Sequence, residues 1–162
     1  RLKPFRRHRP AKCSNNMPKA TFYTHVAQVP IFTCRLIARA IRDGGRILVW
    51  SDSFGRLQEL DKMLWQYEAE SFIPHEIWEM EEAMPSETSV LLACGGNPPR
   101  IPEGMTVLNL SDGFWNTAPV LPARVLEIVG NSLEDLADAR ERFTAYRRSG
   151  FAIEHHGMEG KA

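Results

Sequence analysis

The sequence predicts an α/β fold: a single-domain open, mainly parallel sheet flanked by helices. Three observations carry this. Short runs rich in β-branched and aromatic residues alternate with stretches whose apolar residues recur at helical spacing. Some of those runs are continuously apolar, as in strands covered on both faces. The 162 residues suit one domain with a core large enough to stand without metal or disulfide support.

The elements follow in order. Ala20–Thr24 (ATFYT) is short, β-branched and aromatic, a first strand. Pro30 suits a helix start, and Ile31–Ile41 continues it with Leu36, Ile37, Ala40 and Ile41 on one face. Gly44-Gly45 stops it, because glycine enters the left-handed conformation of a helix end at little cost. Arg46–Trp50 (RILVW) is a buried-type strand. Ser53 caps a second helix carrying Leu57, Leu60, Leu64 and Trp65. Strand, helix, strand, helix is the repeating unit of a parallel sheet.

Further strands are expected at Ser89–Cys94, Thr106–Leu110 and Arg124–Val129, separated by turn-rich loops at Gly95–Pro99 and Asn116–Pro122. Ser132 begins a long helix, with Asp135 three residues on as an imperfect capping box. Its acids Glu134, Asp135 and Asp138 come first and Arg140, Arg142, Arg147 and Arg148 later, as the helix dipole favours; Gly150 ends it.

The formal net charge of zero hides an asymmetry. Residues 1–16 (RLKPFRRHRPAKCSNN) hold six basic residues and no acid; setting them aside leaves 14 basic against 20 acidic residues, a net of −6. Residues 1–16 read as a basic, disordered or non-native extension, and Met17 as the start of the domain. The domain is expected over 17–155, with a polar tail at 156–162. A mildly acidic domain argues against tight DNA binding by that part; a direct DNA binder would use the basic arm. Cys13, Cys34 and Cys94 are far apart with no C-x-x-C, pointing to reduced thiols in the cytoplasm. No apolar run approaches membrane-spanning length.

An open α/β sheet invites comparison with nucleotide-binding folds, but the motifs of a nucleotide site are missing. The loop after the first strand, His25–Pro30, has no glycine to let backbone approach a pyrophosphate. Asp52 follows the second strand where a ribose carboxylate would sit, yet a helix-entry aspartate explains it. There is no phosphate-loop motif, and Gly95-Gly96 reads as a turn. No nucleophile motif occurs. His155-His156 reads as a solvated tail, and Glu79, Glu81 and Glu82 as a charged linker without metal spacing. His75 is a possible general base, but the sequence offers it no orienting partner. The expectation is no catalytic centre, no cofactor and no metal. The alternative is a small α/β enzyme or nucleotide-binding protein using Asp52 or His75.

Two segments carry a family resemblance. One is LDKMLWQYEAESFIPH (Leu60–His75), a helix ending in Leu-Trp followed by an E-S-F-[hydrophobic]-P-H turn. The other is ARERFTAYRRSGFAI (Ala139–Ile153), with its R-[aromatic]-x-x-Y-R-x-x-G-F pattern. With the ATFY first strand, these resemble the chi subunit of bacterial DNA polymerase III, from about Met17 to Ile153. The resemblance implies a non-catalytic α/β domain of the bacterial replisome, joined to the clamp loader through a small psi subunit. It also implies a grip on the acidic, phenylalanine-ended C-terminal tail of the single-stranded-DNA-binding protein. DNA is then contacted only indirectly, and the expected state is a heterodimer with psi, otherwise a monomer.

Matching positions give Val129, Arg140, Phe143 and Arg147 for the tail, and Trp65, Phe72 and Pro74 for psi. The spacing of Arg140, Phe143 and Arg147 is i, i+3, i+7, one helical face. A ring between two guanidinium groups suits a ligand with an apolar end, a terminal carboxylate and nearby acids. Such binding is expected to be on the order of micromolar and salt-sensitive. The competing reading makes Phe143 a core residue and the arginines mere complements of the helix dipole. For Trp65 and Phe72 the competing reading packs both under their own loop. Better-known family members carry lysines where this chain has Leu136 and Thr144, so a less basic site is expected here.

Overall fold

Ile47–Ser51 is buried along its whole length, because helices cover the sheet around it on both faces. The computed structural model describes residues 17–67 and 72–159. The basic extension at 1–16, residues 68–71 of the turn before Phe72, and the end of the tail at 160–162 lie outside the described residues. The elements are β1 (Lys19–Thr24), α1 (Val29–Arg42), β2 (Ile47–Ser51), α2 (Phe54–Gln66), β3 (His75–Ile77), β4 (Val90–Cys94), β5 (Thr106–Asn109), a 3-10 turn (Trp115–Thr117), β6 (Arg124–Ile128), α3 (Leu133–Arg148) and β7 (Ala152–Gly157). Among the described residues the strands form one open, all-parallel sheet in the order β3-β4-β2-β5-β6-β1-β7.

Alternate residues of each strand feed two core layers. Ile47, Val49 and Leu108 pack with Phe32, Ile37 and Leu57, so α1 and α2 share one face. Leu48, Trp50 and Val107 face the other way, toward Ala139 and Tyr146 of α3. The rings of Trp50 and Trp115 meet edge-on at 5.9 Å, filling the second layer under the 3-10 turn.

The helix ends follow the local chemistry. Pro30 sits in the first turn of α1, where its missing N–H costs nothing. Gly44 leaves α1 with φ +78°, and its N–H donates to the Ile41 carbonyl at 2.9 Å. The capping box of α3 is complete rather than imperfect: the Asp135 N–H donates to Ser132 Oγ (3.0 Å) and the Ser132 N–H to Asp135 Oδ2 (3.4 Å). A side chain at Gly130 would collide with that carboxylate, since a Cβ there falls 2.5 Å from Asp135 Oδ2.

Two strands fall outside the expected set. β3 is three residues long, with only His75 buried. β7 is a half-exposed edge strand, and it corrects the expected solvated tail. His155 lies opposite Phe22, where its Nε2 is 2.6 Å from Thr24 Oγ1, and His156 stacks on Tyr23 at 5.3 Å. The segment holding Glu79, Glu81 and Glu82 is a turn, closed by the Trp78 indole donating to the Glu82 carbonyl at 3.0 Å.

Candidate protein-docking surfaces

α3 presents Arg140, Phe143 and Arg147 along one outer stripe. Ala139 and Tyr146 face inward, so residues three and four positions apart divide the helix into a buried and an exposed side. The Phe143 ring is 38% exposed, and its inner edge rests on buried Phe22 with centroids 6.0 Å apart. It is half anchor and half surface, between the two readings of this position. Arg140 and Arg147 are exposed, and no carboxylate among the described residues pairs with either. Leu136 packs against the core one turn before Arg140. Val129 is 5% exposed; it belongs to the core layer behind the helix and lines a separate cleft with Ala139 and Arg142. The stripe is therefore made by three of the four expected residues, with Val129 beneath it.

Arg142 departs from the simple dipole picture. It turns inward to Glu127, with Nη1 3.2 Å from Oε2, and its Nη2 donates to the Ser111 carbonyl at 2.9 Å. The guanidinium also lies 5.3 Å over the Phe114 ring. Glu127 Oε1 accepts from Tyr146 Oη and from Asn109 Nδ2, both at 2.8 Å. Burial drives the Glu127 carboxyl above the ordinary glutamate range, against the opposing pull of Arg142 and of these hydrogen bonds. Burial likewise raises the Tyr146 phenol, and the Glu127 charge adds to it. This network braces α3 against β5 and β6. Its sequence signal is faint: Glu127 is the lone acid within an apolar strand, and Tyr146 falls four residues after Arg142.

The second surface joins the end of α2 to β3. Trp65 is 57% and Phe72 70% exposed, and their rings meet at 5.4 Å. Pro74 is exposed beside them. Beneath Trp65 lies the His75 ring, 4.6 Å between centroids, with a fully buried side chain. Its Nε2 lies 2.7 Å from Asp61 Oδ1 and its Nδ1 2.8 Å from the Ile73 carbonyl oxygen, so both ring nitrogens are held by hydrogen-bond partners. So His75 does have an orienting partner, Asp61, one turn before Trp65 on α2. The partner holds the ring under the tryptophan rather than toward a cavity.

Asp52 is exposed, and its Oδ2 accepts the Asp112 N–H at 3.2 Å. Neither Asp52 nor His75 lines the cavities of about 700 Å³ and 460 Å³ found among the described residues. One of these is a cleft of about 460 Å³ at the C-terminal ends of β5 and β6, the usual ligand side of an open α/β sheet. Its mouth carries Glu59, Asp112, Asp135 and Asp138, and the Glu127 network closes its wall. Among the described residues no group of three or more His, Cys, Asp or Glu side chains is placed to hold a metal ion. No described helix is long and apolar enough to cross a membrane.

Comparison with known proteins adds the last element. Residues 17–154 match the family model described as DNA polymerase III chi subunit, HolC. A curated relative from Pseudomonas aeruginosa, DNA polymerase III subunit chi, is 31% identical over 126 residues, covering 77% of this chain and 83% of the relative.

Proposed function

The chain belongs to the DNA polymerase III chi subunit family, and from that premise we propose that it is a non-catalytic adaptor of the bacterial replisome. The family is that of a replication accessory subunit of DNA polymerase III. In the proposed role, Trp65, Phe72 and Pro74 receive the psi subunit of the clamp loader. Arg140, Phe143 and Arg147 hold the acidic C-terminal tail of the single-stranded-DNA-binding protein, with Val129 in the core behind them. The complex works in the cytoplasm at the replication fork.

The observation that carries the reading is a half-exposed ring between two exposed arginines that no described carboxylate neutralises. Each guanidinium can fork onto a carboxylate. Phe143 offers an apolar edge for a terminal aromatic residue, and its seat on Phe22 fixes the edge in place. Because the arginines are solvated, their attraction is screened by salt and the affinity is modest. Trp65 and Phe72 form the second surface, and paired exposed aromatics are a common composition of interface anchors.

Calorimetric titration with a peptide copying the acidic tail tests the tail site. We expect binding on the order of micromolar that weakens as salt rises, and its loss when the terminal phenylalanine is deleted. Arg140→Ala and Phe143→Ala are each expected to weaken it about tenfold, or about 1.4 kcal/mol. Unchanged affinity in both variants would place the tail elsewhere.

A further inference from the structure

The acidic balance of the domain conceals a basic groove on the side of the sheet away from α3. It is a cavity of about 700 Å³ running between α1 and the β1–β7 margin. Arg35 and Arg39, one turn apart on α1, line one wall; Arg46 and Arg124 close one end; His155 and His156 line the opposite wall. Against these four arginines the described lining holds one carboxylate, Asp43, with the Glu154 carboxylate at its border, 4.0 Å from His156 Nε2.

Three of the four arginine charges are not spent internally. Arg124 shares Glu154 with Lys19, at 3.0 and 2.8 Å, but no carboxylate among the described residues pairs with Arg35, Arg39 or Arg46. Arg46 donates through Nη2 to the carbonyls of Pro85 and Thr88, which holds its position and leaves its charge uncompensated. The floor is apolar and aromatic, built by Tyr23, Phe32, Leu36 and Leu126. On Tyr23 the imidazole of His156 lies nearly flat, at 21°, and about half of the His156 side chain is open to solvent.

We propose that this groove binds a segment of single-stranded nucleic acid. Arg35 and Arg39, roughly 6 Å apart at the base of their side chains, would track successive phosphates. A base would stack on the open face of His156, a planar group held parallel to Tyr23 beneath it. A charged wall beside a stacking platform is the general composition of a sequence-tolerant single-strand site. An acidic peptide would use the arginines but leaves the stacked platform unexplained, so nucleic acid is the better fit. The inference is independent of the tail-docking surface, which uses other residues on the other side of the sheet.

Anisotropy of a fluorescein-labelled oligothymidylate, titrated with the full chain across a salt series, tests it. Wild-type protein is expected to bind with an affinity that falls as salt rises. The double variant Arg35→Glu/Arg39→Glu is expected to bind at least about tenfold more weakly, with a salt slope shallower by about 1.4, the loss of two phosphate contacts. His156→Ala is expected to weaken binding about fivefold or more, the loss of one stacked base. Arg140→Ala should leave it unchanged. Arg35 and Arg39 are exposed, and circular dichroism reports whether the variants keep the fold; Arg35→Gln/Arg39→Gln repeats the test with a milder change. No salt-sensitive binding by the wild type, or affinity in both double variants within twofold of wild type, would overturn the proposal. The second result would return any binding to the basic arm at 1–16. Binding of an acidic peptide that competes with the oligonucleotide and is lost in the double variants would overturn it as well, assigning the groove to acidic protein segments.

Discussion

Glu127 and His75 show how single buried polar side chains shape the two proposed docking surfaces from beneath. Replacing Glu127 by alanine leaves the Tyr146 hydroxyl without its acceptor and Arg142 without its carboxylate, while Asn109 and Arg142 keep backbone carbonyls at Gly113 and Ser111, and we expect a loss of about 3–5 kcal/mol in urea denaturation. The pH dependence has a definite sign. Burial raises this carboxyl, so the folded state binds its proton more tightly than the unfolded state does. That contribution is full below the ordinary glutamate range and is lost as pH rises through the elevated value. Stability measured against pH should therefore fall more over that window in the wild type than in Glu127→Ala. For His75→Ala, Trp65 loses the ring beneath it and Asp61 its partner; Asp61 is a third exposed, so the cost is smaller, about 1–3 kcal/mol. Acrylamide quenching of tryptophan fluorescence should rise in that variant; unchanged quenching would show that Trp65 is held by other contacts. Neither role was legible in the sequence. Arg140 and Arg142 are chemically alike and two residues apart, and only the packing of α3 on β5 and β6 sends one inward and leaves the other outside.

At the scale of elements, the fully covered strands were the legible ones. β2 and β4 are apolar on both faces, so composition alone betrays them. β3 and β7 are half-covered edges, and their polar residues read as turn and tail. Edge position also explains what holds β7. Lys19 and Arg124 converge on Glu154, tying β1, β6 and β7 across one face. The Lys19 hydrogen bond leads the depression of the Glu154 carboxyl below the ordinary range, opposed by slight burial. The stabilisation is present above that range and is lost as pH falls through the depressed value. Hydrogen-exchange protection factors, which remove the intrinsic slowing of exchange in acid, should accordingly fall in β7 on acidification before they do in β2; simultaneous loss of protection in both strands would show that this clamp carries no local stability. The cap of α3 was legible from Ser132 and Asp135, and Ser132→Ala should cost about 1 kcal/mol by removing the acceptor for the Asp135 N–H. A thermal melt indistinguishable from wild type would mean the helix is set by tertiary packing alone.

At the scale of the molecule, the two proposed docking surfaces rise from different elements: α3 for the tail, the end of α2 and its turn for psi. The chemistry of each was visible as residue types before any fold was known. Their separation was not, because strand order decides which helices share a face. An adaptor needs that separation, since two partners competing for one surface would be exchanged rather than joined. Sedimentation velocity on this protein mixed with psi and the single-stranded-DNA-binding protein measures it directly. The account predicts a complex of all three, reduced to the psi pair by Arg140→Ala/Phe143→Ala and to the tail-bound pair by Trp65→Ala/Phe72→Ala. Mutual exclusion of the two partners, or a three-component complex indifferent to both double variants, would contradict it.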